Sequence, residues 1–250
     1  MKKIKTLLVG FGKMGREVEK VLLERNIKDY VKIDPMWAAA DFPNLTAFDG
    51  DPREFIAIDF SHPDAVMDNI EWYAKNKVDA VIGTTNWHKE LQRVEKLTLD
   101  AKIRLIYSAN FSETVQMFFF LNKIAAKLAN GLGGFDASIN EIHHNAKADV
   151  SGTAKSLAND ILDKTEILYG VTGPKPDAAI TIASERLAGV FGEHTVRYAK
   201  QGDRIELFHH ADSRHGFATG AVDATLMISD LEPGIYNYAD ILRSKFASTL

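Results

Sequence analysis

A glycine turn between an apolar strand and a helix constrains the fold of this chain more than any other feature. Residues 4–9 are mostly apolar and run directly into Gly10-Phe-Gly12-Lys-Met-Gly15, after which apolar residues recur at helical spacing. In dinucleotide-binding folds, glycines so placed allow a tight turn, close approach of the backbone to a pyrophosphate, and close packing of helix on strand. The turn therefore predicts nucleotide binding, although a glycine-rich turn without function has the same pattern.

An acidic residue follows the glycine turn at the expected distance. Asp34 ends the next strand-like run, 24 positions after Gly10. Such folds place an acid about 20 residues on, where it accepts hydrogen bonds from the ribose hydroxyls. Asp34 would repel a 2′-phosphate, and the next residue, Pro35, offers no compensating cation. We therefore expect the chain to prefer NADH, with NADPH as the second choice.

Strands and helices alternate through the first half of the chain. Strand-like runs at 55–60, 80–83 and 104–108 are separated by helical patterns at about 64–75 and 89–97. This order predicts an α/β domain with a parallel, doubly wound sheet of the Rossmann type. Ligands of such sheets bind beyond the carboxyl ends of the strands.

Residues that suit a bound ribose and nicotinamide stand at those strand ends. They are Phe60, Gly83, Thr84, Thr85, Ser108, Ala109, Asn110 and Phe111. Each one alone is also ordinary turn chemistry. Residues 35–52 have no regular pattern, and we expect a loop around the adenosine end of the cofactor.

The second half of the chain has a different pattern. A helix at 112–130 precedes a strand at 135–142, a helix at 154–168, strand-like runs at 179–187, 193–199 and 204–209, and a helix at about 221–228. Consecutive strands predict a second, α+β domain with a mixed, largely antiparallel sheet. Its exposed face is a candidate oligomer surface, so we expect a homotetramer. We assign 1–112 and 213–250 to a dinucleotide-binding domain and 113–212 to a substrate-binding and oligomerisation domain.

The stretch Glu141–Thr153 combines an acid, two imidazoles, an ammonium group and a Ser-Gly-Thr turn. His143 and His144 point to opposite faces if they still lie in the strand, so they should differ in role. Imidazole gives or takes a proton near neutral pH. Ser151, Gly152 and Thr153 would open the next helix, whose free N–H groups can hold a carboxylate. The alternative is a solvated loop with a good helix cap.

Composition excludes several functional classes. The net charge of −4 and the pI near 6.1 argue against a nucleic-acid or anionic-membrane surface. The chain has no cysteine, which removes disulfides and thiolate metal sites. Its apolar runs are too short for a signal peptide or membrane helix, so we expect a cytoplasmic protein. Adjacent histidines at 143/144 and 209/210 do not converge, so we expect no metal.

Ordered motifs along the whole chain resemble the 4-hydroxy-tetrahydrodipicolinate reductase family, formerly called dihydrodipicolinate reductases. The matching segments are the glycine turn, Asp59-Phe60, Gly83-Thr-Thr85, Asn110-Phe-Ser112, Glu141–Thr153, Arg186 with Gly192-Glu-His-Thr195, Ser213-Arg214 with Phe217-Ala218, Gly220-Ala221, and Gly234-Ile-Tyr236. The glycine turn is generic, whereas His-His-Asn-Ala-Lys with Ser-Gly-Thr is specific to this family.

The resemblance implies a function and a set of site residues. The family reduces a cyclic dicarboxylate to tetrahydrodipicolinate in lysine and diaminopimelate biosynthesis, uses NADH or NADPH, and forms tetramers. It implies His143 as catalytic proton donor, Lys147 as the paired ammonium, and His144, Gly152 and Thr153 around the substrate, where we also expect Ser151 and Arg214. The implied cofactor residues are Gly10, Phe11, Gly12, Lys13, Met14, Asp34, Gly83, Thr84, Thr85, Ser108, Ala109, Asn110 and Phe111, to which the glycine turn and the strand ends add Gly15 and Phe60.

The chain departs from the family pattern in its loops. Val150 stands where a proline usually precedes Ser-Gly-Thr, that loop is one residue shorter, and the glycine turn is one residue tighter, with Lys13 where arginine is common. Two other functions remain open. A diaminopimelate or homoserine dehydrogenase would need a different constellation at 141–153, and a redox-sensing regulator would need no His143 or Lys147.

Overall fold

The computed structural model describes residues 5–145, 149–161, 167–169 and 180–249. The chain divides into two compact units. The first unit contains residues up to Glu113 and resumes at Arg214, and the second contains Thr114–Ser213. In the described part of the chain, no helix is long and apolar enough to cross a membrane.

The first unit is built on a six-stranded sheet. Its strands and helices are β1 Lys5–Val9, α1 Lys13–Glu24, β2 Tyr30–Ile33, β3 Phe55–Asp59, α2 Val66–Asn76, β4 Asp79–Ile82, α3 Leu91–Ala101, β5 Arg104–Tyr107, α6 His215–Met227, β11 Gly234–Asn237 and α7 Tyr238–Ala247. The sheet order is β11-β5-β4-β3-β1-β2, and every ladder in it is parallel. The predicted doubly wound parallel sheet is confirmed.

Apolar side chains on both faces of this sheet explain its burial. Leu7 belongs to a core with Ile70 of α2 and Val94 of α3. The next residue along β1, Leu8, belongs to a separate core with Val18 of α1. Because successive strand residues face opposite sides, helices cover the sheet on both faces, as parallel sheets require.

The second unit is built on a five-stranded sheet. Its elements are α4 Glu113–Leu132, β6 Asp136–His143, α5 Gly152–Ile161, β7 Ile167–Tyr169, β8 Ile180–Arg186, β9 Gly192–Lys200 and β10 Asp203–Ala211. The order is β10-β9-β6-β8-β7. Between β9 and β10, Gln201 and Gly202 both adopt positive φ, as a two-residue hairpin turn favours. One core of this unit includes Phe118, Leu157 and Val196.

The structure confirms the mixed sheet of the second unit and corrects two other details of the predictions. The described strands of this sheet make two antiparallel and two parallel ladders, because β8 lies parallel to both β6 and β7. The helix predicted at 154–168 is wrong at its end, since α5 stops at Ile161 and Leu168 lies in β7. Helix α6 begins at His215, before the predicted start near 221. The early start of this helix was not predicted because Gly220 interrupts the helical pattern. Glycine is required at position 220 because an added Cβ would lie 1.8 Å from the Phe111 carbonyl oxygen.

Candidate functional site

The predicted cofactor residues lie along one edge of the first sheet. Val9 pairs with Asp59, Asp59 with Ile82, and Ile82 with Tyr107, so β1, β3, β4 and β5 end at the same level. The residues that follow these ends are Gly10, Phe60, Gly83 and Ser108, each of which donates its backbone N–H to the neighbouring strand. The chain reverses its direction of winding between β1 and β3, which is where sheets of this class bind ligands.

The three glycines of the turn have different surroundings. Gly10 has φ of +84°, and a Cβ there would lie 2.4 Å from the Phe60 carbonyl oxygen. A Cβ on Gly15 would lie 2.1 Å from the Gly10 carbonyl oxygen. A Cβ on Gly12, just before α1, would meet no atom within 4 Å. The first and third glycines are thus needed for packing, and the second leaves open space at a helix N-terminus, where a pyrophosphate fits.

Asp34 holds the loop beside the glycine turn. One of its carboxylate oxygens accepts the Phe11 N–H at 2.6 Å, and the other accepts the N–H groups of Met36 and Trp37 at 2.7 and 2.9 Å. The Phe11 N–H is therefore used inside the protein. The oxygen that accepts the Phe11 N–H has further acceptor capacity, so the group can still accept a hydrogen bond from a ribose.

A cation lies near the loop that follows Asp34. Its position was not predicted from the sequence. The guanidinium of Arg16 stacks over the Trp37 ring at 5.2 Å, and its Nε donates to the Gly12 carbonyl at 3.3 Å. The predicted residue Lys13 is exposed at the start of α1. Arginine and tryptophan together form a surface between the glycine turn and the loop after Asp34.

Asp59 is a buried acid at this edge whose role was not predicted. Its carboxylate accepts hydrogen bonds from Ser61 N (2.8 Å), Asn69 Nδ2 (3.0 Å), Tyr73 Oη (2.8 Å) and Thr84 Oγ1 (3.3 Å). Complete burial of Tyr73 and the negative charge of Asp59 raise the pKa of the tyrosine well above its ordinary value. The carboxylate therefore ties the loops after β3 and β4 to α2.

Thr84 and the loop after β5 are fixed by their own hydrogen bonds. Thr84 is buried and also donates to the Ser61 carbonyl at 3.1 Å, whereas Thr85 is half-buried. The Ser108 hydroxyl donates to the Asn110 carbonyl at 2.7 Å. Phe111 is buried against Tyr238, with ring centroids 4.9 Å apart. Of these predicted residues, Phe111 therefore contributes its side chain to the core.

In the second unit, Glu141 is the centre of a buried polar cluster. The carboxylate is fully buried near the end of β6 and accepts the Ser151 N–H at 3.1 Å and the Ser184 hydroxyl at 2.9 Å. Nδ1 of His143 lies 3.6 Å from the carboxylate, and Nε2 of His194 lies 3.7 Å from it. Burial raises the pKa of Glu141, but hydrogen bonds from Ser151 and Ser184 and the charge of His143 outweigh it, so the pKa lies below its ordinary value.

Two buried imidazoles face each other across this cluster. His143 and His194 are 7% and 5% exposed, so both rings are largely shielded from water. Their centroids are 5.0 Å apart in an edge-to-face arrangement. Strand β9 brings His194 opposite Glu141 in the antiparallel register.

Ser151 connects the cluster to the start of α5. Its hydroxyl accepts the Ala154 N–H at 2.9 Å, which caps the helix, and lies 3.0 Å from Nε2 of His194. Gly152 is exposed with open space around its Cβ position, and Thr153 is half-buried. The hydrogen-bonding groups of Ser151 are thus engaged within the protein, and the first turn of α5 presents Gly152 and Thr153.

The other predicted substrate residues lie in different parts of the chain. His144 directly follows β6 and is half-buried. Arg214 stands at the start of α6, in the first unit, so the second unit by itself does not bring it to Ser151. Lys147 lies outside the described residues, and its role stays a prediction.

Glu141, His143 and His194 each offer a nitrogen or oxygen atom within 4.8 Å of the other two. This grouping was not predicted, because the histidines that converge are not adjacent in the sequence. The carboxylate already accepts hydrogen bonds from Ser151 and Ser184. We therefore interpret the group as a hydrogen-bonded cluster and assign no metal to it.

The other face of the second sheet carries polar side chains. Ser138, Asn140, Thr181, Thr195, Arg197 and Glu206 line a depression of about 380 Å³. Nε of Arg197 donates to Glu206 at 2.8 Å. Val196, which lies between Thr195 and Arg197 on β9, is buried on the opposite side of the sheet.

Comparison with known proteins places the chain in a family. Residues 4–111 match the family model for the N-terminus of dihydrodipicolinate reductase, and residues 114–242 match that for its C-terminus. The chain belongs to the dihydrodipicolinate reductase family. The predicted family and enzyme class, a pyridine-nucleotide-dependent oxidoreductase, are therefore confirmed.

Named relatives of this reductase family cover most of the chain. The 4-hydroxy-tetrahydrodipicolinate reductase of Christiangramia forsetii is 37% identical over 243 residues, which span 96% of this chain and 98% of that protein. The protein of the same name from Methanocaldococcus jannaschii is 38% identical over 196 residues, which span 75% of this chain and 70% of that protein.

Solved structures show the same fold. The dipicolinate-bound dihydrodipicolinate reductase of Paenisporosarcina sp. TG-14 aligns with a TM-score of 0.76 at 24% identity, covering 95% of this chain and 99% of that chain. DAP dehydrogenase of C. glutamicum aligns with a TM-score of 0.51 at 12% identity, covering 96% and 94%. The second likeness shows that a DAP dehydrogenase shares the fold, so the fold alone does not distinguish that rival from this reductase family.

Proposed function

We propose that this chain catalyses the NAD(P)H-dependent reduction of 4-hydroxy-tetrahydrodipicolinate to tetrahydrodipicolinate in lysine and diaminopimelate biosynthesis. Family membership supports the reaction. Among the structural observations, the position of His143 carries the proposal: a buried imidazole at the end of β6, beside an ionised carboxylate that also accepts the Ser151 N–H just before α5. That arrangement suits proton donation to an anionic substrate.

The first unit holds the dinucleotide in this proposal. The open backbone at Gly12 and the start of α1 would bind the pyrophosphate, and Asp34 the adenine ribose. When bound, a reduced nicotinamide supplies the hydride. The edge at Phe60, Gly83 and Ser108 would bind the nicotinamide end of the cofactor. Asp59 fixes the loops after β3 and β4 at this edge.

The second unit binds the dicarboxylate in this proposal. The N–H groups of Gly152 and Thr153 at the first turn of α5 would hold one carboxylate of the substrate. Lys147 would pair with a carboxylate as well. His144 and Arg214 are proposed as further substrate residues.

His143 donates a proton in the proposed mechanism. Loss of the 4-hydroxyl group as water leaves an unsaturated ring that accepts the hydride. The neighbouring ring carbon then takes a proton, and imidazolium is the cluster's natural donor near neutral pH. Burial of His143 in the ring pair with His194 keeps the imidazole in one orientation.

Three finer properties belong to the same proposal. The carboxylate of Asp34 favours NADH over NADPH because it would repel a 2′-phosphate. The polar face of the second sheet, around Arg197 and Glu206, is the candidate surface for a homotetramer. We also retain the predicted location in the cytoplasm.

Steady-state oxidation of NADH with freshly generated substrate tests the proposal. Turnover that depends on the cyclic dicarboxylate is expected, and reactions with NADP⁺ or NAD⁺ and diaminopimelate or homoserine serve as controls for the rival dehydrogenases. Turnover of a rival substrate in place of the dicarboxylate would refute the assignment. Tight NADH binding without turnover of any of these substrates would favour a redox-sensing regulator.

A further inference from the structure

Glu141 is a buried charge that the proposed mechanism does not use. It is fully buried, and its pKa lies below the ordinary value, so it is ionised at neutral pH. An ionised carboxylate in a protein interior is costly unless it is paired and hydrogen-bonded. The side chain must therefore be stabilised by the groups around it.

Those groups come from four separate elements. The Ser151 N–H precedes α5, Ser184 and Arg186 lie on β8, His194 lies on β9, and His143 lies on β6 with Glu141 itself. Arg186 Nη1 stands 3.7 Å from the carboxylate, at the margin of an ion pair. His143 and His194 are the two groups in this set whose charge changes between pH 5 and 8.

The carboxylate is also placed between the two parts of the proposed substrate site. One of its oxygens lies 3.6 Å from Nδ1 of His143, the proposed proton donor. Both oxygens accept the Ser151 N–H, immediately before the first turn of α5. A contact through Nδ1 leaves Nε2 of the imidazole as the nitrogen that faces away from Glu141.

We propose that Glu141 is a positioning residue that keeps His143 protonated through Nδ1 and anchors the first turn of α5, so that one carboxylate sets both the proton donor and the anion-binding helix start. This inference rests on the proposed function. The charge of the carboxylate favours imidazolium, because an opposite charge within about 4–6 Å favours the charged form of a group, by roughly 1–3 pKa units for an aspartate beside an arginine. Burial of the His143 ring acts in the opposite direction, as do His194 and Arg186 when they are charged.

The first test needs no turnover. Histidine ring signals of the wild-type protein are titrated by NMR, with His143 assigned from the spectrum of His143→Gln. A pKa of His143 above the ordinary value near 6.5 is expected, and Glu141→Gln should lower it by about 1–3 units. Glu71→Gln, an exposed acid on α2 paired with Arg93, is the matched control and should leave it unchanged.

The second test uses the pH dependence of kcat/KM for the dicarboxylate. The alkaline limb, where the proton donor loses its proton, should move to lower pH in Glu141→Gln by the same amount as the NMR pKa. Ser184→Ala removes one hydrogen bond from the carboxylate but keeps its charge, so its limb should stay close to that of the wild type.

The outcomes separate the inference from the proposed function. A uniform loss of activity in Glu141→Gln with an unmoved alkaline limb would mean a structural role only and would overturn the inference. If Glu141→Gln fails to fold, the wild-type titration decides, because a His143 pKa at or below the ordinary value contradicts the proposal. A wild-type protein that does not turn over the dicarboxylate would refute the proposed function, while the NMR result would still stand.

Discussion

The hydroxyl of Ser151 lies 3.0 Å from Nε2 of His194, a residue 43 positions away in the chain. The same hydroxyl caps α5 through the Ala154 N–H. His194 on β9 therefore holds Ser151, the residue that leads into the proposed anion-binding turn of α5.

Replacement of His194 by Gln should weaken substrate binding more than catalysis. Loss of one buried hydrogen bond costs about 1 kcal/mol, which corresponds to a rise of roughly fivefold in KM for the dicarboxylate. The KM for NADH should change little, because the proposed nucleotide edge lies in the other unit. Steady-state kinetics with each substrate varied in turn measures both values. His210→Gln, which alters an exposed histidine paired with Glu193, is the control and should match the wild type.

Replacement of His143 by Gln should remove the proposed proton donor. General acid catalysis typically contributes about 10²–10⁴ in rate, so kcat should fall by that factor while the KM for NADH stays nearly constant. Lys147→Ala should instead impair both kcat and the KM for the dicarboxylate, because an ion pair acts in the ground state as well. Turnover of His143→Gln close to wild type across pH 6–8 would assign the proton to another group.

The glycine turn offers a matched pair of variants. Gly10→Ala places a Cβ 2.4 Å from the Phe60 carbonyl oxygen at positive φ, and it should destabilise the fold by at least about 1 kcal/mol. Gly12→Ala meets no atom within 4 Å, so its Tm should remain within a degree or so of the wild type. Its Kd for NADH should nevertheless rise roughly tenfold or more, because the methyl group occupies the space proposed for the pyrophosphate. Calorimetry and NADH titration separate the two effects.

Cofactor preference should depend on Arg16 as well as on Asp34. The wild-type kcat/KM should be higher with NADH than with NADPH, because Asp34 repels a 2′-phosphate. Arg16 lies over Trp37, beside the loop that Asp34 holds, and is the cation placed to reduce that repulsion. Arg16→Gln should therefore lower kcat/KM with NADPH more than with NADH. An equal loss with both cofactors would show that Arg16 does not approach the 2′ position.

Alkaline pH should reveal the buried hydroxyl of Tyr73. Its pKa is raised by burial and by Asp59, so the folded state retains this proton more strongly than the unfolded chain. The stabilisation is complete below the ordinary tyrosine pKa near 10 and is lost as pH rises above it. Urea unfolding between pH 8 and 11 should show wild-type stability falling more steeply above pH 10 than that of Tyr73→Phe. Parallel curves for the two proteins would contradict the assignment.

Much of the first unit was predictable because its determinants are local. The glycine turn, the strand–helix alternation and Asp34 are separated by short stretches of chain, and their spacing alone indicated the parallel sheet and its ligand-binding edge. The position of Arg16 beside this loop was not predicted. Its contact with Trp37 depends on the path of residues 35–37, which have no periodic sequence pattern.

The cluster around Glu141 was only partly predictable. The stretch 141–153 was predicted to carry the chemistry, but the partners of Glu141 depend on strand register. His194 faces Glu141 because β6 and β9 pair in one antiparallel register, and a shift of one residue would turn His194 to the other side of the sheet. That register cannot be read from a single sequence. His194 was therefore recognised only through its place in a family motif, and its contact with Glu141 was not predicted.

Pairing of β11 with β5 has a consequence for the order in which the protein forms during synthesis. Ile235 pairs with Leu105 and completes the edge of the first sheet. This sheet is therefore complete only when the segment that follows the second unit has emerged from the ribosome. The second unit is translated as an uninterrupted insert and is free to fold while its host is still open. We expect the nascent chain to expose the β5 edge during that interval, when chaperone binding or mispairing with another chain would compete with β11.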